Sequence, residues 1–442
     1  MKNKHPILFR VSALLLVVVL LISSLSGCGV TQNGSMDENS VGYLLAKDAS
    51  IPKFDRTVFR NVELCFNTYY YTDLPDNKTL ANDTKAAFNE YCADVDKTDK
   101  ATVTHALIDC YIYAVGDNYA FFRNPEELED YTADMGGRFV GIGVSVLRNE
   151  LEKTILVTGV EPDSPAESAG IQPDDYIIGV NGESIYDIGT QELIDKIKGE
   201  VGTKVTVTVK RGEHTIDFEM LRAVITETFV NYEFIENTKI VYTRIKSFKG
   251  DDTNNTAIQF RAAVDFAEAN GAEGIIFDLC SNPGGYLHLV TDMLSYLVPD
   301  NTPIVSFSNG KPTINAGNDS YTDTPFDHVL KIPSVVVVDK NSASASELFA
   351  GALRDYNDMG ILCSSSVGEV TYKKGIMQST MTFKDGSALT LTTALYNPPS
   401  GNNFHGIGVT PVVQAGENDD FTALAIAELN KLIANQNTNN AI

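Results

Sequence analysis

The spacing of apolar and polar positions changes character several times along the chain. Residues 11–22 form an apolar run, "VSALLLVVVLLI", behind Lys2, Lys4 and Arg10. A bilayer span takes about 20 apolar residues, so this shorter run with a basic flank predicts a signal peptide over residues 1–27. Residues 28–45 are small and polar and read as a tether. From 46 to 135 apolar residues recur at helical spacing, anchored by Tyr and Phe. Within "ATVTHALIDCYIYAVGDNYAFF" the pattern predicts a helix stopped at Gly116-Asp117-Asn118. His105 on that helix reads as a packing residue.

Near Gly136 the period shortens. Residues 136–222 carry short strands broken by Gly, Pro and Asp turns, a helix near 190–198 and the alternating run "TKVTVTVKRG". The predicted order is strand, strand, short helix, strand, strand, helix, strand, strand. From 223 to 430 helices alternate with short buried runs. "TAIQFRAAVDFAEANG" predicts a helix closed by Gly271, and "GIIFDL" and "IPSVVVV" predict buried strands. This is the signature of a mixed sheet with parallel strands, whose ligands sit beyond the strand C-termini. Residues 431–442, rich in Asn and Gln, read as a disordered tail. The fold class is therefore α/β and β multidomain, with a helical N-terminal region, a β-rich middle and a mixed-sheet α/β core.

Composition narrows the function. The 442 residues suffice for two or three domains. A net charge of −24, without a basic cluster bearing interleaved aromatics, argues against a nucleic-acid partner. Metal and nucleotide motifs are missing, so no cofactor is implied. Cys65, Cys92, Cys110, Cys280 and Cys363 fit no disulfide or metal spacing and read mostly as small buried hydrophobes.

The candidate chemistry lies in "VVVVDKNSASASELFAGAL". Ser344 stands three residues before Glu347, the spacing of a capping box, so a helix cap is the plain explanation. A nucleophile is the alternative. A strand-to-helix turn exposes its first side chains, and the N–H of Ala345 at a helix start could receive an oxyanion. The "NPGG" loop could supply a second N–H from Gly284 or Gly285. A base would come from His288, His405 or a buried lysine of "VGEVTYKKGIMQS".

Three resemblances bear on these options. Leu25-Ser26-Gly27-Cys28 resembles the lipobox of bacterial lipoproteins. That implies acylation of Cys28 and an extracytoplasmic, lipid-anchored location at the cell membrane. Residues 137–222, with "SPAESAGIQPDDYIIGVNG", resemble a PDZ domain. The likeness implies a carboxylate-binding loop at Gly141, Ile142, Gly143 and Val144 and peptide binding along a sheet edge. Finally, "NSASASE", "VGEVTYKKGIMQ", "FDLCSNPGG" and "YNPPSGNNFHGIGVTP", in that company, resemble the C-terminal processing peptidases, or tail-specific proteases. This family's pattern implies Ser344 as nucleophile, Lys374 as base, Gln378 as the residue that orients it, and Ala345 with Gly284 or Gly285 as oxyanion donors. It further implies a PDZ domain inserted before a serine protease core at 223–430. The expected function is a serine endopeptidase that cleaves extracytoplasmic proteins near their C-termini. Its partners would be proteins or peptides with free C-termini, and self-association into a homo-oligomer is compatible with it. The alternative is an inactive PDZ lipoprotein that acts as a tail-binding adaptor. The chain departs from the family's pattern at Lys373, where Gly is usual, at Cys280, at Val412 and in a longer Ser344-to-Lys374 interval.

Overall fold

The computed structural model describes residues 38–149, 154–186, 188, 190–308, 314–315, 328–416 and 418–440. The expected signal peptide, Cys28 and the start of the tether lie outside them. Two compact units divide the chain: one holds the residues up to 129 with 230–248 and 256–442, the other 130–229 with 249–255.

The first unit opens with helices α1 (Val41–Lys47), α2 (Arg56–Tyr69), α3 (Asn77–Tyr91) and α4 (Lys100–Val115). Asp55, Asp76 and Asp99 cap the last three by each accepting two backbone N–H groups. Helix α1 corrects the expected tether from Val41 onward. Val41 and Leu45 sit one turn apart and are both buried, and the Glu63 carboxylate takes the N–H groups of Val41 (2.7 Å) and Gly42 (3.3 Å). Gly116 ends α4 at φ +84°, a conformation that favours glycine. Phe59, Phe66 and Tyr111 pack edge to face at the centre of these helices, and Leu389 and Leu391 join the same cluster. Cys92 and Cys110 are buried there as free thiols, their sulfurs 3.7 Å apart. Strand β1 (Phe121–Arg123) and helix α5 (Pro125–Met135) follow.

The second unit contains β2 (Arg138–Gly141), β3 (Val144–Asn149), β4 (Thr154–Val160), α6 (Pro165–Ala169), β5 (Tyr176–Val180), β6 (Glu183–Ser184), α7 (Thr190–Ile197), β7 (Lys204–Arg211), β8 (His214–Leu221) and β9 (Ala223–Thr226). From β3 to β8 the elements follow the order that the alternation predicts. The antiparallel sheet runs β3-β4-β5-β7-β8, with β6 on β5, so β3 is an edge. Ile155, Val157, Val205, Val207 and Val209 fill the unit's own core. Strand β9 pairs antiparallel with β2 and carries the unit past the expected boundary at 222.

The first unit resumes with β10 (Val230–Phe234), β11 (Ile240–Ile245), α8 (Thr256–Ala269), β12 (Gly274–Asp278), α9 (Leu287–Leu297), β13 (Pro303–Phe307), β14 (Ile314–Asn315), β15 (Ser334–Val338), α10 (Ala345–Asp358), β16 (Ser364–Gly368), β17 (Ile376–Thr382), β18 (Ala388–Asn397), β19 (Val413–Gln414) and α11 (Phe421–Asn440). Its main sheet runs β10-β11-β12-β15-β16-β19, parallel except for the β10–β11 pair. Strands β12 and β15 are buried along their whole length. The Gly-rich and Ser-rich loops leave their C-terminal ends, where a parallel sheet offers ligand sites. In a second sheet β18 pairs with β1, β17 and β13, and β14 extends β13. Helix α11 corrects the expected tail. It continues through Asn440, because Leu432 and Ile433 pack on the cluster that Leu429 and Ala425 already cover.

Candidate active site

The three serines of the β15–α10 turn divide by their hydrogen bonds. Ser342 Oγ donates to the Leu279 carbonyl (2.8 Å) and sits 3.0 Å from Asp339 Oδ1. Ser346 Oγ donates to the Asn282 carbonyl (3.0 Å). Both flanking hydroxyls thus fasten this turn to the loop after β12. Ser344 Oγ instead meets the Tyr396 hydroxyl at 3.3 Å. Ser344 is buried and holds φ +57°, ψ −113°, a sparsely populated conformation for a side chain with a Cβ. Such strain at a strand-to-helix turn is what presents a nucleophile side chain.

Gly284 lies against this turn: a Cβ there would stand 2.6 Å from the Ala343 carbonyl oxygen and 2.9 Å from Ser344 Cβ. Its N–H donates to Asn282 Oδ1 at 2.8 Å. Gly285 sits at φ +156°, and its N–H, like that of Ala345, meets no acceptor among the described residues. Of the two glycines, Gly285 therefore keeps the unspent donor.

Lys374 is wholly buried. Its Nζ donates to Gln378 Oε1 at 2.9 Å and lies 4.7 Å from the centre of the Tyr119 ring. Burial lowers its pKa to about 7, against the opposing pull of Asp117 and Glu347. Lys373 is exposed, at φ +83°, which accounts physically for a glycine preference at that position. The register of β17 against β18 shifts between Met377 and Gln378, and this irregularity lies beside the Gln378 that faces Lys374. Gly375 is required on other grounds: a Cβ there would come within 2.8 Å of the His405 backbone nitrogen.

Two residues join the serine and lysine segments. Glu347 Oε2 accepts from the backbone N–H of Ser344 and of Lys374, both at 2.8 Å. Glu347 Oε1 accepts from Lys373 N–H (2.7 Å) and the Thr371 hydroxyl (2.5 Å). Burial pushes this carboxyl above its usual range. All four contacts are donors, so the site fits the anion. Tyr396 is the second link. Its hydroxyl stands 3.3 Å from both Ser344 Oγ and the Lys374 carbonyl. The phenol is the donor in both contacts, so its one proton is divided between Ser344 Oγ and the Lys374 carbonyl. Among the described hydrogen bonds, Ser344 and Lys374 meet through Tyr396 and Glu347 and not directly. Burial is the main cause that lowers the His405 pKa, and its Nδ1 has no hydrogen-bond partner among the described residues. The His288 ring lies tilted against that of Tyr286, with centroids 5.0 Å apart.

Sequence reasoning saw Glu347 only as a cap and missed Tyr396, Asp117 and Tyr119. Tyr396 opens the quoted "YNPPSG" segment, which was the available signal. Nothing local pointed to Tyr119, whose carbonyl accepts from Gln378 Nε2 across 259 positions.

In the second unit, Gly141 ends β2 and Val144 starts β3. The carbonyl of Ile142 accepts from Ala166 N–H and that of Gly143 from Glu161 N–H, both at 2.9 Å. A Cβ on Gly143 would stand 2.3 Å from Ser164 Cβ. The N–H groups of Ile142 and Gly143 meet no acceptor among the described residues.

Fold and sites together define a PDZ-containing chain with an α/β peptidase core. Residues 239–415 match Peptidase family S41 and residues 156–211 match a PDZ domain. It is 33% identical over 325 residues to a probable CtpA-like serine protease of Staphylococcus saprophyticus, covering 73% of this chain and 62% of that one. The counterpart of Staphylococcus aureus is 33% identical over 319 residues, covering 72% and 61%. The chain thus spans about three-fifths of the length of these relatives. A putative S41 protease from Bacteroides fragilis shares the fold at a TM-score of 0.54 and 15% identity, covering 83% of this chain and 95% of that chain.

Proposed function

We propose that this chain is a serine endopeptidase that cleaves proteins near their C-termini, with Ser344 as nucleophile and Lys374 as general base. The observation that carries the reading is a strained, buried serine at a helix start, held by one carboxylate to a wholly buried lysine whose pKa falls to about 7. A lysine neutral near pH 7 can accept a proton, which an ordinary surface lysine cannot. In the reaction Ser344 Oγ leaves Tyr396, gives its proton to Lys374 Nζ and attacks the scissile carbonyl carbon. The N–H groups of Ala345 and Gly285 receive the oxyanion. Lys374 then protonates the departing amine, leaving an acyl-enzyme. Water, deprotonated by Lys374, attacks the ester and restores Ser344. Gln378 holds Nζ in place throughout.

The PDZ unit captures the substrate's C-terminal carboxylate on the loop from Gly141 to Val144, and edge strand β3 pairs with the extended peptide. Acylation at Cys28 would anchor the chain to the outer face of a bacterial cell membrane. A probe that phosphonylates an activated serine tests the catalytic reading. A fluorophosphonate is expected to modify Ser344 in the parent chain and to leave Ser344→Ala unlabelled and without turnover of an unfolded protein substrate. Labelling that persists in Ser344→Ala would place the nucleophile elsewhere. No labelling and no turnover in the parent would favour the inactive tail-binding adaptor.

A further inference from the structure

The turn after α4 had read only as a helix stop, and it lies outside the residues 239–415 matched to the peptidase family. Its residues nonetheless surround Lys374. Gln378 is an amide with one accepting and one donating end. Its Nε2 faces the Tyr119 carbonyl, which can only accept, so its Oε1 must face Lys374 Nζ. The Tyr119 carbonyl thereby selects the orientation of the amide that holds the base. The Tyr119 ring covers Nζ from 4.7 Å.

Asp117 fixes the turn. Its carboxylate accepts from the N–H (2.9 Å) and hydroxyl (3.0 Å) of Thr392, and from Tyr119 N–H at 3.0 Å. Thr392 is also the β18 residue opposite Gln378. One buried carboxylate therefore ties the Tyr119 carbonyl to the strand that carries its partner amide.

We propose that the Asp117–Tyr119 turn is a positioning element for the base: Asp117 sets the turn, and the turn sets Gln378 and covers Lys374. The inference rests on Lys374 being the base. Asp117 also acts as the buried negative charge that, with Glu347, favours the ammonium form of Lys374. The other titratable groups facing Lys374 are His405, whose interaction with it is repulsive when both are protonated, and the phenols Tyr119 and Tyr396.

The test compares Asp117→Asn and Asp117→Ala in the full chain, across a pH series of kcat/KM. Asn keeps an acceptor for Thr392 N–H and removes the charge. Its ascending limb is expected to move to lower pH by about half a unit or more, with KM near the parent value. Ala frees the turn and is expected to lose about tenfold or more in kcat. Asn should restore most of that loss. A merely structural turn would lower activity without moving the limb, so an unmoved limb in Asp117→Asn overturns the inference. Lys374→Ala separates the two levels. If it keeps an ascending limb of similar height, the base itself is misassigned. If it is inactive while Asp117→Asn leaves the limb in place, only the role of the turn fails.

Discussion

At the residue scale the determining feature is the burial of Lys374. Its side chain is 0% exposed, so burial takes the ammonium out of water and disfavours the charged form. The protonated form is penalised in the folded chain but not in the unfolded one. The unfolded chain therefore binds this proton more tightly. The penalty is full below about pH 7, where both states are charged, and fades as pH rises toward 10.5. Its full size is on the order of 5 kcal/mol. Replacing the lysine with an apolar side chain of similar length should remove it. Lys374→Met is thus expected to lose turnover and to melt above the parent. The gap in melting temperature should be wide at about pH 6 and narrow at about pH 9.5. Calorimetry at both pH values checks this, and an equal gap at both would mean that Lys374 carries no burial penalty. Lys373, on the same loop, is exposed.

At the scale of elements, local pattern revealed what local physics decides. The two-residue period of β7 and the one-turn spacing of α4 depend on which face each segment buries, so the chain displays them openly. The capping spacing around Ser344 was equally visible, and the family resemblance singled out Ser344, but local pattern alone did not choose among the three serines. It depends on Ser342 and Ser346 reaching carbonyls 63 and 64 positions away. The Asp117–Tyr119 turn was illegible for the same reason: its partners sit on β17 and β18. Helix α11 was misread because Asn and Gln dominate its last turns. Only Leu432 and Ile433 continue the apolar face set by Ala425 and Leu429. Leu429 also explains Gly274: a Cβ there would stand 2.9 Å from the leucine side chain. A chain ending after Asn430 should therefore be destabilised by about 1–3 kcal/mol, since two partly buried aliphatic side chains are lost. Urea unfolding measures the difference, and an unchanged midpoint would return the segment to the status of a tail.

At the scale of the whole molecule, the proposed binding loop and the proposed catalytic residues rest on separate hydrophobic cores. The cluster around Ile155, Val157 and Val207 draws only on the second unit, and those around Phe59 and around Val335 draw only on the first. A change confined to the β15–α10 turn should leave the second core intact. The proposed capture loop spends its Ile142 and Gly143 carbonyls inside the unit, on Ala166 and Glu161. Gly143 cannot accept a side chain in place of its hydrogen, because Ser164 already occupies that space. The loop is thereby held with two backbone N–H groups unspent, a geometry that suits an anionic chain end. Neutralising that end removes the charge in a charge-assisted hydrogen bond, which is about twice as strong as a neutral one. The full chain carrying Ser344→Ala is therefore expected to bind an apolar peptide with a free C-terminus at least about tenfold more tightly than its C-terminal amide. Calorimetric titration of both peptides into that variant measures the ratio. Equal affinities would rule out capture of the chain end by this loop, and loss of both would mean that the β15–α10 turn contributes to binding as well as to cleavage.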